Sequence, residues 1–459
     1  MVNFSPILFG GLGEFYVCKV IVMKEKQVFN NAKWIIICKI AQSILQLIIG
    51  MISARYLGPA NYGIISYAGS IVAFALPIMK LGLDATLVHE LVENPNEEGE
   101  IIGTSLGLNI FSSFLCMGGV AIFASLANFG ETETIIVCVL YSISIFFAAL
   151  EMIQYWFQYK LLSKYSSIIM LVAYLVVSAY KIFLLATQKS IYWFALSHSV
   201  EYGAIAILLI AFYFKKGGSK FKFSFARAGK MLSKSKYYIV GALMIVVIQN
   251  TDHIMLTKIV GEAENGFYAA AITCAGVAQF VYTAVIDSFR PLILSSKKEN
   301  ELEYEKNISR LYGIICYTAI VQSLVFTIFA PIMVKLLYGE AYLPSIPVLQ
   351  ILTWYRTFSF MGSIRNIWLL AEGKQKYLPI INLSGVVLNI AMNAIMIPFW
   401  GACGAAFASF LTQLFMNFIF GFIFKPIRKN NALMLKGMAP KFFITELRST
   451  VKTLLKKEK

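Results

Sequence analysis

The sequence predicts an all-α integral membrane protein of twelve transmembrane helices arranged as two six-helix lobes. Three observations carry that prediction. The 459 residues are 58% hydrophobic and only 14% charged, with a mean hydropathy of +0.71, whereas a soluble domain carries roughly a quarter of its residues charged. Apolar runs of about 20 residues, the length that crosses roughly 30 Å of hydrocarbon, recur along the chain. A basic segment, 215–236, holds eight Lys and Arg and no acid, and it divides two apolar stretches of similar length.

In chain order, residues 1–32 read as an N-terminal cytoplasmic or interfacial arm. Ile7–Met23 carries Glu14 and Lys19, which makes it a poor signal peptide and a poor span, and Met23 is a second candidate start. The N-lobe, 33–214, contains spans at about 33–53, 62–83, 101–127, 134–156, 165–186 and 190–214. The basic linker, 215–236, follows. The C-lobe, 237–424, contains spans at about 237–256, 266–289, 309–337, 344–371, 377–398 and 402–424, and 425–459 is a basic cytoplasmic tail. Continuous runs of this length exclude barrel strands, so the spans are helices.

Cations set the orientation. With the N-terminus inside, cytoplasmic segments hold 31 Lys and Arg, and the opposite face holds only Arg55, Lys189, Lys258 and Lys335. The positive-inside rule then places both termini in the cytoplasm of a cell-membrane protein. The loop 84–100 departs from the trend, being acidic. Outer loops are short, so no sizeable extracytoplasmic domain is available.

The halves echo one another: Gly58, Gly63 and Ala68 recur 203 residues later as Gly261, Gly266 and Ala271. Paired six-helix repeats suit alternating access. Several function classes drop out. There is no GxxxxGK[ST] loop, no Asp pair for a metal-bound sugar nucleotide, and no CxxC or HExxH spacing. The net charge of +16 follows the membrane topology, so nucleic acid is not an expected partner. No cofactor, metal or catalytic residue is predicted.

The chemistry lies in charges within the spans. Lys39, Gln42 and Gln46 share one face of the first helix, either lining a cavity or joining helices by polar contacts. Arg356 sits mid-span in the tenth helix, where a guanidinium fork suits a diphosphate; the competing reading pairs it with Glu151 or Glu201. Arg365 lies nine residues on, half a turn out of phase. His198 and Glu201, at i and i+3, form either a proton-exchanging pair or a buried hydrogen-bonded one. Gln249, Asp252 and His253 cluster near an outer helix end, and Asn389 with Asn393 reads as interhelical bonding.

The block Ala54-Arg55-Tyr56-Leu57-Gly58-Pro59-x-x-Tyr62-Gly63 resembles the start of the oligosaccharide flippases, the Wzx-type members of the multidrug/oligosaccharidyl-lipid/polysaccharide (MOP) exporter superfamily. So do Leu81-Gly82-Leu83-Asp84, His89-Glu90-Leu91, Asp252-x-x-Met255-Leu256, Ile367–Lys376 and Asn389-x-x-x-Asn393 with Pro398, Gly401 and Gly404-Ala405-Ala406. The resemblance covers residues 33–424. It implies a V-shaped pair of lobes around a cationic cavity, resembling the multidrug (MATE) exporters in fold, and a transporter rather than an enzyme. The implied cargo is an undecaprenyl-pyrophosphate-linked oligosaccharide destined for capsule, O-antigen or exopolysaccharide. Membrane lipid, a polysaccharide polymerase and chain-length machinery are the implied partners. On this reading Lys39, Gln42, Gln46, Arg55, Arg356 and Arg365 hold the cargo, and Glu151, His198, Glu201 or Asp252 bind a coupling proton or sodium ion. Related drug exporters commonly carry an acid in the first helix; this one has Lys39 instead. The alternatives are a lipid II (peptidoglycan precursor) flippase and a drug exporter.

Overall fold

The structure is a computed structural model and describes residues 12–446 and 448. Among these residues all regular secondary structure is helical. The helix α1 (Leu12–Lys80) holds the first two spans, with only Gly58 departing from helical geometry (φ 74°, ψ 170°). Glycine is required there because a Cβ is strained at positive φ. The chain reverses at that point. Trp34, near the start, packs under Lys164, and Leu81, past the end, accepts a hydrogen bond from Ser235, all at the end that carries the linker. Arg55, in between, lies beside Gly339 at the opposite, hairpin end.

The remaining N-lobe spans are α2 (Glu98–Ala127), α3 (Thr132–Leu150), α4 (Ser163–Ala186) and α5 (Ile191–Lys215). The chain beyond α3 tightens into a 3₁₀ turn at Glu151–Ile153 before a short helix. The C-lobe begins with α6 (Phe225–Ile259). The bent pair α7 (Glu262–Ala275) and α8 (Gln279–Glu299), kinked by 46°, makes one span, followed by α9 (Glu301–Leu337) and α10 (Ser345–Ala371). The helix α11 (Leu378–Leu414) continues through a π-turn at Phe415–Ile419, and α12 (Arg428–Met438) lies beyond. Gly401 (φ 51°) interrupts α11 as Gly58 interrupts α1; Tyr377 and Phe424 meet at one end while Glu264 binds the Ala402 amide at the other. Among the described residues eight helices are long and apolar enough to cross a membrane, or nine with α7 and α8 as one. Doubling the two broken ones and adding α10, whose two arginines dilute its hydropathy, gives the twelve crossings expected.

Each lobe has its own apolar core. Leu83, Ile102, Trp156, Leu209 and their neighbours fill the N-lobe, and Ile308, Leu311, Ile364 and Trp368 fill the C-lobe. The lobes meet at the hairpin end. A Cβ at Gly63 would fall 1.8 Å from the Glu262 carbonyl oxygen, and one at Gly266 would fall 1.9 Å from that of Pro59. Residues 59 and 63 map onto 262 and 266 by the 203-residue repeat, so the contact is self-complementary about a pseudo-twofold axis. Small residues let the two backbones touch. Asn265 donates to the Gly63 carbonyl (2.8 Å), Tyr342 to that of Ala54 (2.8 Å), and Lys258 pairs with Glu131 (3.2 Å).

The acidic loop finds its explanation at the linker end. Glu90 binds Lys234 (2.6 Å), Glu100 binds Arg227 (2.9 Å) with Glu97 beside it, and Glu98 binds Lys160 (2.7 Å). The linker is therefore fastened to the N-lobe by the acids that broke the topology trend.

Candidate transport site

Asp252 lies in the last two turns of α6 and is buried. Its carboxylate accepts from Tyr268 on α7 (2.5 Å), from Asn389 (3.2 Å) and Asn393 (2.6 Å) on α11, and from Ser409 past the Gly401 turn. Four neutral donors thus surround one acid, and among the described residues no cation sits within ion-pair distance of it. A buried carboxylate persists only when its lone pairs are satisfied. The Asn393 side-chain oxygen is buried without a donor. Carboxylate, hydroxyl and amide oxygens from three crossings and the bent pair make a hard-oxygen nest that can take up a proton or a small cation. The next residue, His253, faces the other lobe: its Nδ1 lies 2.6 Å from Asn265 Oδ1 and 3.1 Å from Ser66 Oγ.

The N-lobe holds a second group. Glu151 stands at the 3₁₀ turn, where it feels the charge of Lys80; Glu201 on α5 feels Lys181 on α4 and also Glu151. His198 lies near Lys181, packed against Tyr141 (4.6 Å between ring centres) and Tyr202 (6.0 Å), with its Nδ1 buried and unbonded. Among the described residues these charges influence one another without a direct ion pair. Glu151, His198 and Glu201 thus share the N-lobe interior with Lys80 and Lys181, with no hydrogen bond or ion pair among them in the described residues.

The cations divide. Arg356 reaches the bend between α7 and α8, donating to Gln279 Oε1 (3.0 Å) and to the Ile272 carbonyl (3.5 Å), beside Gly276. Its partners are a side-chain amide and a backbone carbonyl that also accepts the Gly276 amide (3.0 Å), not Glu151 or Glu201. Its guanidinium also lies over the Tyr355 ring, 5.6 Å from the ring centre. Arg365 goes elsewhere. It is 4% exposed and donates to the Met416 carbonyl (2.9 Å), Asn417 Oδ1 (2.7 Å) and Asn366 Oδ1 (3.2 Å). A π-turn frees a carbonyl from the helical ladder, and Arg365 satisfies it. This departs from the expectation of a cavity cation. The cause is the half-turn phase difference between residues nine apart. Lys39 and Gln46 are exposed and Gln42 is half-buried along the first helix, and Arg55 is exposed at the hairpin end; none of these four is joined by contact to Arg356 or Asp252.

Tyr268, Ser409, Gln279, Lys80 and Lys181 complete these groups and were not chosen from the sequence as site residues. The two lysines could have been, since a cation within a span calls for a partner. Tyr268, Ser409 and Gln279 carry no such signal.

Two bundles of six crossings are joined through a pseudo-symmetric contact and hold buried ionisable groups, an architecture shared by membrane transporters and flippases. The fold is that of the MOP superfamily. An inward-facing multidrug resistance MATE family transporter superposes with a TM-score of 0.65 at 13% identity, over 85% of this chain and 95% of that one. The lipid II flippase MurJ, in an inward closed conformation, gives 0.65 at 14% identity over 90% and 92%. An outward-facing MATE family transporter gives 0.57 at 13% identity over 89% and 96%. No curated protein matches the sequence. The chain belongs to the polysaccharide biosynthesis protein family, whose sequence profile matches residues 28–293. It is a multi-pass membrane protein of the flippase and transporter superfamily that the sequence motifs indicated.

Proposed function

We propose that this protein carries undecaprenyl-pyrophosphate-linked oligosaccharide repeat units from the inner to the outer leaflet of the cell membrane, for capsule, O-antigen or exopolysaccharide synthesis. Both termini are cytoplasmic in this reading, and 33–214 rocks against 237–424 to expose the site alternately. The observation that carries it is Arg356: a guanidinium at a helix bend, held by an amide and a carbonyl and matched by no carboxylate among the described residues. A diphosphate supplies the missing anion through bidentate bonds. Lys39, Gln42 and Gln46 line the path of the headgroup, and Arg55 meets it at the hairpin end. The Asp252 nest takes the coupling proton or sodium ion, with Glu151, His198 and Glu201 as the N-lobe counterpart. The polyprenyl tail stays in lipid. A polymerase and chain-length proteins receive the product.

Replacing Arg356 with Gln should abolish surface polysaccharide while membrane insertion and abundance remain unchanged. Full polysaccharide in that strain would refute the assignment. The likeness to a lipid II flippase in fold supports a second reading, in which the diphosphate lipid carries a peptidoglycan precursor. Binding of the purified protein to lipid-linked oligosaccharide, to lipid II and to a lipophilic cation separates these readings from drug export.

A further inference from the structure

The linker does more than join the lobes: we propose that residues 214–225 form an interfacial strap that binds anionic phospholipid headgroups and anchors the N-lobe in the inner leaflet. This holds whatever the cargo. The strap has a built seat. Gly99, Gly103 and Gly107 form a stripe on one face of α2, and a Cβ on them would meet the Lys220 carbonyl (2.3 Å), the Lys222 carbonyl (2.4 Å) and the Phe223 ring (2.7 Å). The Lys222 amide donates to the Gly99 carbonyl (3.0 Å) and the Ser224 amide to Thr104 Oγ1 (3.1 Å). Eight residues of helix separate the ends of that stripe, so the strap climbs about 12 Å along α2, past the acidic loop and toward the hydrocarbon.

Its chain is non-helical from 218 to 224, and its side chains alternate. Phe221, Phe223 and Phe225 take every second position, with Lys222 and Ser224 between them and Lys220 just before. Phe223 is 47% exposed and Phe225 86%. Above Gly107 the same helix exposes Phe111, Phe114 and Leu115, so the aromatic face is continuous with an apolar surface that crosses the bilayer. That continuity selects a lipid surface over a soluble partner.

The cations are sorted in the same sense. Arg227 and Lys234 turn toward the carboxylates of the 84–100 loop. Lys215, Lys216, Lys220 and Lys222 are exposed and have no carboxylate partner among the described residues. Lysine beside phenyl rings at a membrane boundary places charge at the phosphates and rings at the acyl boundary. Each such lysine raises attraction to an anionic leaflet by roughly fivefold.

The test uses the full chain in nanodiscs. Phe225→Trp should add fluorescence that lipids brominated near the headgroup end of their chains quench strongly and aqueous acrylamide quenches weakly, after subtraction of the unsubstituted protein. Native mass spectrometry of detergent-extracted protein should show retention of phosphatidylglycerol over phosphatidylcholine. The Lys215→Gln, Lys216→Gln, Lys220→Gln, Lys222→Gln variant should lose that preference by at least tenfold. Quenching by acrylamide alone, which would put the strap in the cytosol facing a soluble partner, overturns the proposal. Equal phosphatidylglycerol retention by the variant overturns it as well.

Discussion

Two arginines of one helix show how far a residue's neighbours decide its role. Both lie within a span, and both are too costly there to be idle. Arg356 bonds groups at a helix bend and leaves its buried Nε unbonded, whereas Arg365 is consumed by the π-turn. Their substitution should therefore give opposite phenotypes. Arg365→Leu leaves the Met416 carbonyl and the Asn417 amide oxygen buried without a donor, at about 1–3 kcal/mol each. It should lower the thermal unfolding midpoint in detergent while the protein that remains folded still transports. Arg356→Gln should leave the midpoint in place and remove transport. A variant at 365 that is stable but inactive would return that residue to the cargo path. Both residues stand out in the sequence, because a cation within a span is visible by type and position. Which one is spent on a backbone carbonyl of the π-turn depended on the phase of α10, and no local pattern marks that turn.

At the scale of elements, the glycine contact between α1 and α7 is the joint between lobes. A side chain at position 63 has no room, with the Glu262 carbonyl 1.8 Å from where its Cβ would sit. Gly63→Leu should hold the hairpin end apart. A cysteine placed at Ser66 should then react with a membrane-impermeant maleimide faster than in the parent, and an unchanged rate would mean that the contact yields. The linker end of the C-lobe is fastened differently, by charge. Lys297 binds Glu301 (2.8 Å) and Glu372 (2.7 Å), and Lys429 binds Glu301 (2.6 Å) and Glu305 (2.9 Å). The hydrogen bonds from Lys297 and Lys429 hold the Glu301 carboxyl below its ordinary 4.5. Burial pushes Glu372 up, but bonds from Lys297 and Tyr304 outweigh it and leave it below 4.5 too. A depressed carboxyl stabilises the fold above its unfolded value and loses that contribution as pH falls through the folded one. The unfolding midpoint should be flat near neutrality and fall below about pH 4.5. Glu301→Gln with Glu372→Gln should flatten that fall, and these exposed pairs make it a modest one.

Across the whole molecule, the contacts between lobes gather at the hairpin end. The Lys258–Glu131 pair, the Tyr342 bond to Ala54 and the Asn265 bond to Gly63 all lie there. Alternating access requires this end to part. Cysteines at 131 and 258, joined by a short bifunctional reagent, should stop transport, and a cleavable reagent should restore it on reduction; persistent transport in the cross-linked protein would place the moving boundary elsewhere. The linker is not the free tether that its composition suggests. Ser235 is bonded to Leu81 in the N-lobe, while Asp252, on the same helix, is bonded into the C-lobe. Relative motion of the lobes must therefore bend α6 between those residues, where packing is sparse and Gly241 has no neighbour within 4 Å of a Cβ position.

The sequence alone determined the fold class, the number of crossings and the internal repeat, because hydropathy over a span and glycine at a turn are local properties that lipid enforces. It also pointed to the family, through motifs in order along the chain. The tertiary structure decided the rest. It chose which buried groups meet, giving Asp252 its four donors from α7 and the two halves of α11 and turning Arg365 into a structural group. It also set the acidic loop against the basic linker, two segments whose oddities cancel. Such pairings join residues on different helices, many of them far apart in the chain, and electrostatics acts through space, so composition could count the charges without saying which of them face one another.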